Sequence, residues 1–162
     1  MIKRTTLCYI ENDGAYLLLH RVKKKNDVNE GKWVGIGGHF LDGETPDECL
    51  LREVREETGI ALTDYRFAGK IRFEAPPWPS EVMYLYRASV NARPALPECD
   101  EGELAWVNKR EALSLPMWEG DRVFFALMEE RTEPFSLLLR YEGDRLVESR
   151  LGGAELFADE EK

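Results

Sequence analysis

The sequence has few of the features that would point to a disulfide-bonded, membrane or secreted protein. Of its 162 residues only 3 are cysteines, at positions 8, 49 and 99, and the lack of a Cys-x-x-Cys spacing argues against a disulfide framework and a zinc site. No apolar run approaches the roughly 20 residues that a membrane-spanning helix needs. The first residues also turn polar too soon for a secretory signal. These absences predict a cytoplasmic protein without a membrane partner.

Positive charge is outnumbered by negative charge. The chain has 22 Lys and Arg against 31 Asp and Glu, a formal net charge of −9, whereas a nucleic-acid-binding domain needs a basic face. Internal repeats and low-complexity linkers are missing, and the length suits one domain with its own core. We therefore expect a single domain over 1–162, a monomer or homodimer that binds a small molecule and no nucleic acid, with a disordered tail over 158–162.

Hydrophobic patterning predicts strands interrupted by two helices. The turn sequence Asn12-Asp13-Gly14 separates the first two strands and predicts a hairpin. Helices are expected over 45–58 and 121–131. Strands are expected over 5–11, 15–19, 65–74, 81–91, 105–107, 135–141 and 145–151. This order favours an α+β fold, an α/β/α sandwich with a mixed β-sheet between helices.

The clearest helix is the segment 45–58. Thr45 is a favourable N-cap, Pro46 suits the first helical position, and Glu48 completes a capping box. Gly59 then provides a C-terminal stop. These local signals predict a stable helix whose two ends are both defined by the sequence.

One face of this helix carries three carboxylates. Glu53, Glu56 and Glu57 fall within one arc about 100° wide, and like charges at this spacing cost a few tenths of a kcal/mol per pair. A solvated acidic face explains the pattern, and so does a site for a hard divalent cation such as Mg²⁺, which takes oxygen ligands and bridges to phosphates. The acidic charge is concentrated in 38–60 and 97–103, whose net charges of −5 and −4 equal that of the whole chain.

The spacing of residues 38–60 resembles the Nudix box at every defining position. Its fixed members are Gly38, Glu44, Arg52, Glu53, Glu56, Glu57 and Gly59. Flanking residues are similar to the MutT-like, 8-oxo-dGTP diphosphatase branch of the Nudix hydrolases. The resemblance implies the Nudix fold and Mg²⁺-dependent hydrolysis of a nucleoside triphosphate, including oxidised purine nucleotides, to the monophosphate and pyrophosphate, with Mn²⁺ as a substitute ion.

The same resemblance implies roles for individual residues. The implied metal ligands are one carbonyl and four carboxylates: Gly38, Glu53, Glu56, Glu57 and Glu101. The implied catalytic set comprises the candidate bases and two supporting groups: Glu53, Glu56, Glu101, Arg52 and Glu44. For Glu101 an ordinary loop charge is an equal alternative, and no single glutamate is assigned as the base.

The resemblance also implies a substrate pocket lined by Phe73, Trp118 and Asp121. Separately, the positive charge of Lys23 in a basic loop suggests a contact with the phosphates. Each has a structural alternative: the two aromatic residues as core residues, Asp121 as an acid at a helix N-terminus, and Lys23 as an exposed loop residue. Val34 stands where the branch has an asparagine that reads the base, which weakens the expectation of discrimination.

Two other functions are compatible with the sequence. The first is hydrolysis of ADP-ribose or another nucleoside diphosphate derivative. The second is a non-catalytic regulator that retains the Nudix fold, although regulators of this kind usually lose glutamates of the box, and here all are present.

Overall fold

The computed structural model describes residues 2–23 and 25–160. All predicted strands and helices are present, with ends that differ by at most two residues from those expected. In chain order the elements are β1 (Lys3–Asn12), β2 (Ala15–His20), β3 (Trp33–Val34), α1 (Pro46–Thr58), β4 (Asp64–Glu74), β5 (Glu81–Ser89), β6 (Glu103–Asn108), α2 (Lys109–Ala112), α3 (Glu119–Glu130), β7 (Phe135–Glu142), β8 (Arg145–Gly152) and a 3₁₀ helix (Ala154–Phe157). Three short elements, β3, α2 and the 3₁₀ helix, are not expected from the sequence.

The strands form one mixed sheet in the order β3-β2-β1-β5-β4-β7-β8, with β6 also paired to β2. β1 runs parallel to β5, and β4 runs parallel to β7. The other pairings are antiparallel. The predicted mixed sheet is therefore confirmed.

Hydrophobic side chains project from both faces of the sheet, because successive residues of a strand point to opposite sides. Along β1, Ile10 packs with Leu50 and Val54 of α1. Its neighbour Tyr9 belongs to the opposite cluster, with Phe124 of α3. The sheet thus lies between α1 and α3, and the α/β/α sandwich is confirmed.

The caps of α1 form as expected. The Thr45 hydroxyl accepts the Glu48 backbone N–H at 3.2 Å, and the Glu48 carboxylate accepts the Thr45 backbone N–H at 3.0 Å. Gly59 ends the helix with φ 76°, a left-handed conformation that glycine adopts without a steric penalty. The acidic face therefore starts from a helix of defined length and register.

The C-terminal segment differs from the expected tail. The 3₁₀ helix packs Leu156 and Phe157 against the sheet, and the carboxylates of Asp159 and Glu160 pair with Arg72 and Lys70 of β4. Residues 158–160 are therefore attached to the fold, which corrects that part of the tail prediction, while 161–162 lie outside the described residues. Within the described part of the chain, no helix is long and apolar enough to cross a membrane.

Candidate active site

The glycine segment before α1 lies in close contact with β1 and with the acidic face of the helix. A Cβ at Gly37 would lie 1.9 Å from the carbonyl oxygen of Thr6, and one at Gly38 would lie 2.5–2.7 Å from the carboxyl atoms of Glu53. A side chain is therefore excluded at Gly37 by the backbone, and one at Gly38 would displace the Glu53 carboxylate. The Gly38 carbonyl accepts the Thr6 N–H at 2.9 Å and faces the Cys49 thiol at 3.6 Å.

Arg52 holds several of the predicted site carboxylates together. Its guanidinium binds Glu44 through two hydrogen bonds of 2.6 and 2.9 Å. The same group donates to Glu53 at 2.8 Å and to the more exposed Glu56 at 3.1 Å. The hydrogen bonds from Arg52 lower the pKa of Glu44 to about 2. Arg52 therefore fixes the position of the Glu53 carboxylate, and Glu44 fixes Arg52.

Glu57 faces the acidic loop that contains Glu101. Burial raises the pKa of Glu57 to about 9, and the negative charges of Glu101 and Glu53 contribute to that rise. Its Oε2 is buried and has no hydrogen-bond partner among residues 2–23 and 25–160. Glu101 lies 3.3 Å from the Arg21 guanidinium, which also pairs with Asp27 at 2.7 Å. The helix face and the loop around Glu101 thus form one acidic cluster.

A cavity of about 230 Å³ extends from this region toward α3. At one end lie Gly38 and Glu101, and at the other lie three predicted pocket residues, Phe73, Trp118 and Asp121. Val34 lines the same cavity and supplies an apolar wall. The fold therefore connects the predicted phosphate end and the predicted base end through one space.

The two aromatic pocket residues also belong to the core. Trp118 is 4% exposed and Phe73 is 6% exposed, and their rings meet edge to face at 5.1 Å. The Lys32 ammonium lies 4.4 Å from the centroid of the Trp118 ring. Phe73 and Trp118 therefore pack in the core and also form a wall of the cavity, and their contact with a substrate stays a prediction.

Asp121 is the most unusual group at this end. It lies in the first turn of α3 and is only 5% exposed. No described residue donates a hydrogen bond to its carboxyl group, and burial raises its pKa to about 8 against the opposing charges of Arg122 and Lys32. A buried polar group without a protein partner is costly. The cavity therefore contains a carboxyl group that is available to a ligand.

Lys23 does not line the cavity. Its ammonium donates to the Cys99 carbonyl at 2.8 Å and so joins the loop after β2 to the acidic loop before β6. This hydrogen bond holds two loops together, and a contact between Lys23 and the substrate phosphates stays a prediction.

Among the cavity residues that are not identified from the sequence are Arg21 and Asn29. Both come from the polar segment between β2 and β3, which has no hydrophobic periodicity to mark individual residues. The only local signal is the position of Asn29 close to Gly31, Lys32 and Trp33, the residues at the entry to the glycine segment.

Comparisons with known proteins place this geometry in a family. The model of the NUDIX domain matches residues 1–128, so the chain belongs to the Nudix family. Its box is complete, and its relatives are named as nucleoside triphosphate hydrolases, so the chain is a Nudix hydrolase. An oxidized purine nucleoside triphosphate hydrolase of Danio rerio is 31% identical over 157 residues, which cover 94% of this chain and 96% of that protein.

Two further similarities agree with this assignment. The nucleoside triphosphatase NudI of Enterobacter sp. (strain 638) is 31% identical over 136 residues, covering 77% of this chain and 96% of the relative. The crystal structure of a MutT protein from Bacillus halodurans superposes with a TM-score of 0.79 at 27% identity, covering 92% of this chain and 97% of that one.

Nudix hydrolases generally use divalent metal ions, and the acidic cluster has the chemistry for one. Its donors are carboxylate oxygens, the ligands that hard divalent cations prefer, and the buried Glu57 Oε2 lacks a hydrogen-bond donor in the described part of the chain. In that part, no three His, Cys, Asp or Glu side chains converge into a complete metal-binding group. Arg52 and Arg21 instead supply the positive charge that faces Glu53 and Glu101.

Proposed function

We propose that the chain is a Mg²⁺-dependent pyrophosphohydrolase of purine nucleoside triphosphates, including oxidised purines, that releases the monophosphate and pyrophosphate. Mn²⁺ would be a substitute ion. The observation that carries this proposal is the buried, unpaired carboxyl group of Asp121 in a cavity that reaches Glu101 at its other end. A bound nucleotide would place its base beside Asp121 and its phosphates beside Glu101.

At the phosphate end, Glu53, Glu56, Glu57 and Glu101 would hold the cation, whose charge would offset that of the phosphate oxygens during attack by water. The Gly38 carbonyl already accepts the Thr6 N–H and would offer its second lone pair to the cation. Arg52 would act as a positioning residue through its contacts to Glu53 and Glu44. Glu53, Glu56 and Glu101 remain the candidate general bases.

At the base end, the state of Asp121 decides which hydrogen bonds it offers. A protonated carboxyl group both donates and accepts, whereas a carboxylate only accepts. Because its pKa is raised to about 8, Asp121 would be mostly protonated at neutral pH in the unliganded protein. A purine presents donors and acceptors side by side, and oxidation at C8 adds an N7–H donor and a carbonyl acceptor. Asp121 would therefore suit purines, including oxidised ones.

The relatives support a triphosphate substrate. The Danio rerio protein is named for oxidised purine nucleoside triphosphates, and it aligns with nearly the whole of this chain. The Enterobacter protein is named as a nucleoside triphosphatase. Similarity at about 31% identity supports the substrate class, and the choice of base within that class needs a direct measurement.

A product-release assay over a panel of nucleotides tests the proposal. With Mg²⁺ present, the panel would comprise 8-oxo-dGTP, the canonical dNTPs, ADP-ribose, NADH and dinucleotide polyphosphates. We expect the highest kcat/KM for purine triphosphates, with release of pyrophosphate. A clear preference for ADP-ribose would refute the triphosphate assignment, and tight nucleotide binding without turnover would support a regulator.

A further inference from the structure

Asn29 lies beside the base end of the cavity, in the loop between β2 and β3. It lines the same cavity as Asp121 and Trp118. Its side-chain oxygen, Oδ1, accepts a hydrogen bond from the Trp118 indole Nε1–H at 2.8 Å. The backbone carbonyl of Asn29 accepts the Lys32 N–H at 2.9 Å, which fixes the residue in a turn.

The contact with Trp118 determines how the Asn29 amide is oriented. An indole N–H can only donate, so the amide must turn its oxygen toward Trp118 and its NH₂ group away from it. No hydrogen bond joins Asn29 Nδ2 to an acceptor among residues 2–23 and 25–160. The two N–H donors of the amide therefore remain available beside the cavity.

The partner that orients Asn29 is itself immobilised. The Trp118 ring contacts Phe73 at 5.1 Å and Tyr141 at 4.7 Å, both edge to face. The backbone N–H of Trp33 donates to the Pro116 carbonyl at 2.8 Å and ties the end of the loop to the segment before α3. An amide held by a buried ring on a tied loop is preorganised, which is what a specific hydrogen-bond donor requires.

We propose that Asn29 is a specificity-determining residue, which donates a hydrogen bond from its side-chain NH₂ group to a carbonyl oxygen of the substrate base. This role rests on the proposed function. It narrows the substrate to a purine nucleotide whose base carries a carbonyl group at C6 or C8. Val34 offers no polar group to the cavity, so Asn29 supplies the amide donor there. Asp121 supplies the carboxyl group.

The test compares substrates that differ by one carbonyl group and the ring N–H beside it. dGTP and 2-aminopurine deoxyribonucleoside triphosphate differ at C6, and 8-oxo-dGTP and dGTP differ at C8. Asn29→Asp keeps an oxygen for the Trp118 indole and replaces the NH₂ donor by an acceptor. For each pair we take the kcat/KM of the substrate with the carbonyl divided by that of the substrate without it. We expect one of these two ratios to fall by about tenfold or more in Asn29→Asp, because the carbonyl then faces an acceptor instead of a donor.

Asn26→Asp is the matched control. Asn26 is exposed, lies in the same loop outside the cavity lining, and gains the same charge. We expect both ratios to stay within about twofold of the unmodified protein, since the change does not touch the base. Asn29→Ser removes the amide without adding charge, so it gives the same test if Asn29→Asp does not fold.

The outcomes separate the two proposals. If the unmodified protein hydrolyses no purine triphosphate, the proposed function is wrong and the role of Asn29 is wrong with it. If the unmodified protein hydrolyses them but neither ratio changes in Asn29→Asp or Asn29→Ser, the proposed function stands and the role of Asn29 is refuted. A proportional loss on every substrate would also refute it, because that result indicates a purely structural role.

Discussion

Replacing Asp121 by asparagine should change how the stability of the protein depends on pH. The carboxyl group has an ordinary pKa of 3.8, which we take for the unfolded chain, and burial raises it to about 8 in the fold. Between these values the folded protein keeps a proton that the unfolded chain releases. Stability from this group is therefore fully present below pH 3.8 and is lost as the pH rises toward about 8.

The magnitude follows from the same two pKa values. In that window the folding equilibrium loses about a factor of ten per pH unit, so from pH 5 to pH 7 the loss is about 3 kcal/mol. The amide in Asp121→Asn does not titrate. From pH 5 to pH 7, the free energy of unfolding of this variant should therefore rise by about that amount relative to that of the unmodified protein. Arg122 and Lys32, the charges that oppose the shift, are unchanged in the variant.

Urea unfolding at pH 5, 6 and 7 measures this difference, and other titrating groups cancel between the two proteins. Glu119→Gln is the control, because Glu119 is exposed in the same turn of α3 and its variant should follow the pH dependence of the unmodified protein. A difference between Asp121→Asn and the unmodified protein that stays constant from pH 5 to 7 would show that Asp121 is ionised in the fold, and the account of the base end would fail.

Three further substitutions test the box helix. Glu57→Gln should lower Mg²⁺-dependent hydrolysis by about 100-fold or more with no loss of melting temperature, and an unimpaired kcat would exclude Glu57 from the metal site. Arg52→Lys should lower activity or metal affinity by about 10- to 100-fold, since lysine cannot make the paired hydrogen bonds to Glu44. A metal titration measures the affinity, and an unchanged value would show that the contact is unimportant. Thr45→Ala should lower the free energy of unfolding by about 1 kcal/mol through loss of the cap, measured by urea unfolding, without a change in kcat beyond twofold.

The box helix could be predicted because its determinants are local. Thr45, Glu48 and Gly59 define its ends through contacts within a few residues, and the carboxylates at 53, 56 and 57 share a face because of the helical repeat alone. The contacts of Arg52 with Glu44 and Glu53 span only eight residues or fewer. Such features follow from the sequence before any tertiary structure is known.

The loop residues of the site could not be predicted in this way. The carbonyl group bound by Lys23 lies 76 residues further along the chain, and the indole bound by Asn29 lies 89 residues further. Each contact depends on how the sheet orders its strands, and the parallel pairing of β1 with β5 has no local signal. The contact of Lys23 with the Cys99 carbonyl is therefore not evident from its charge, and Asn29 does not stand out because asparagine is common in loops.

The acidic charge of the chain is explained by the meeting of its two acidic segments. Residues 38–60 and 97–103 together carry the full net charge of −9, and the fold places Glu57 of the first beside Glu101 of the second. That proximity contributes to a pKa of about 9 for Glu57, so at neutral pH the unliganded fold keeps this group protonated at a cost in stability. Packing gives no reason for such an arrangement, since a neutral residue at position 57 would avoid the cost. A divalent cation would remove the repulsion and allow Glu57 to ionise, and the substrate phosphates could then approach an otherwise acidic protein.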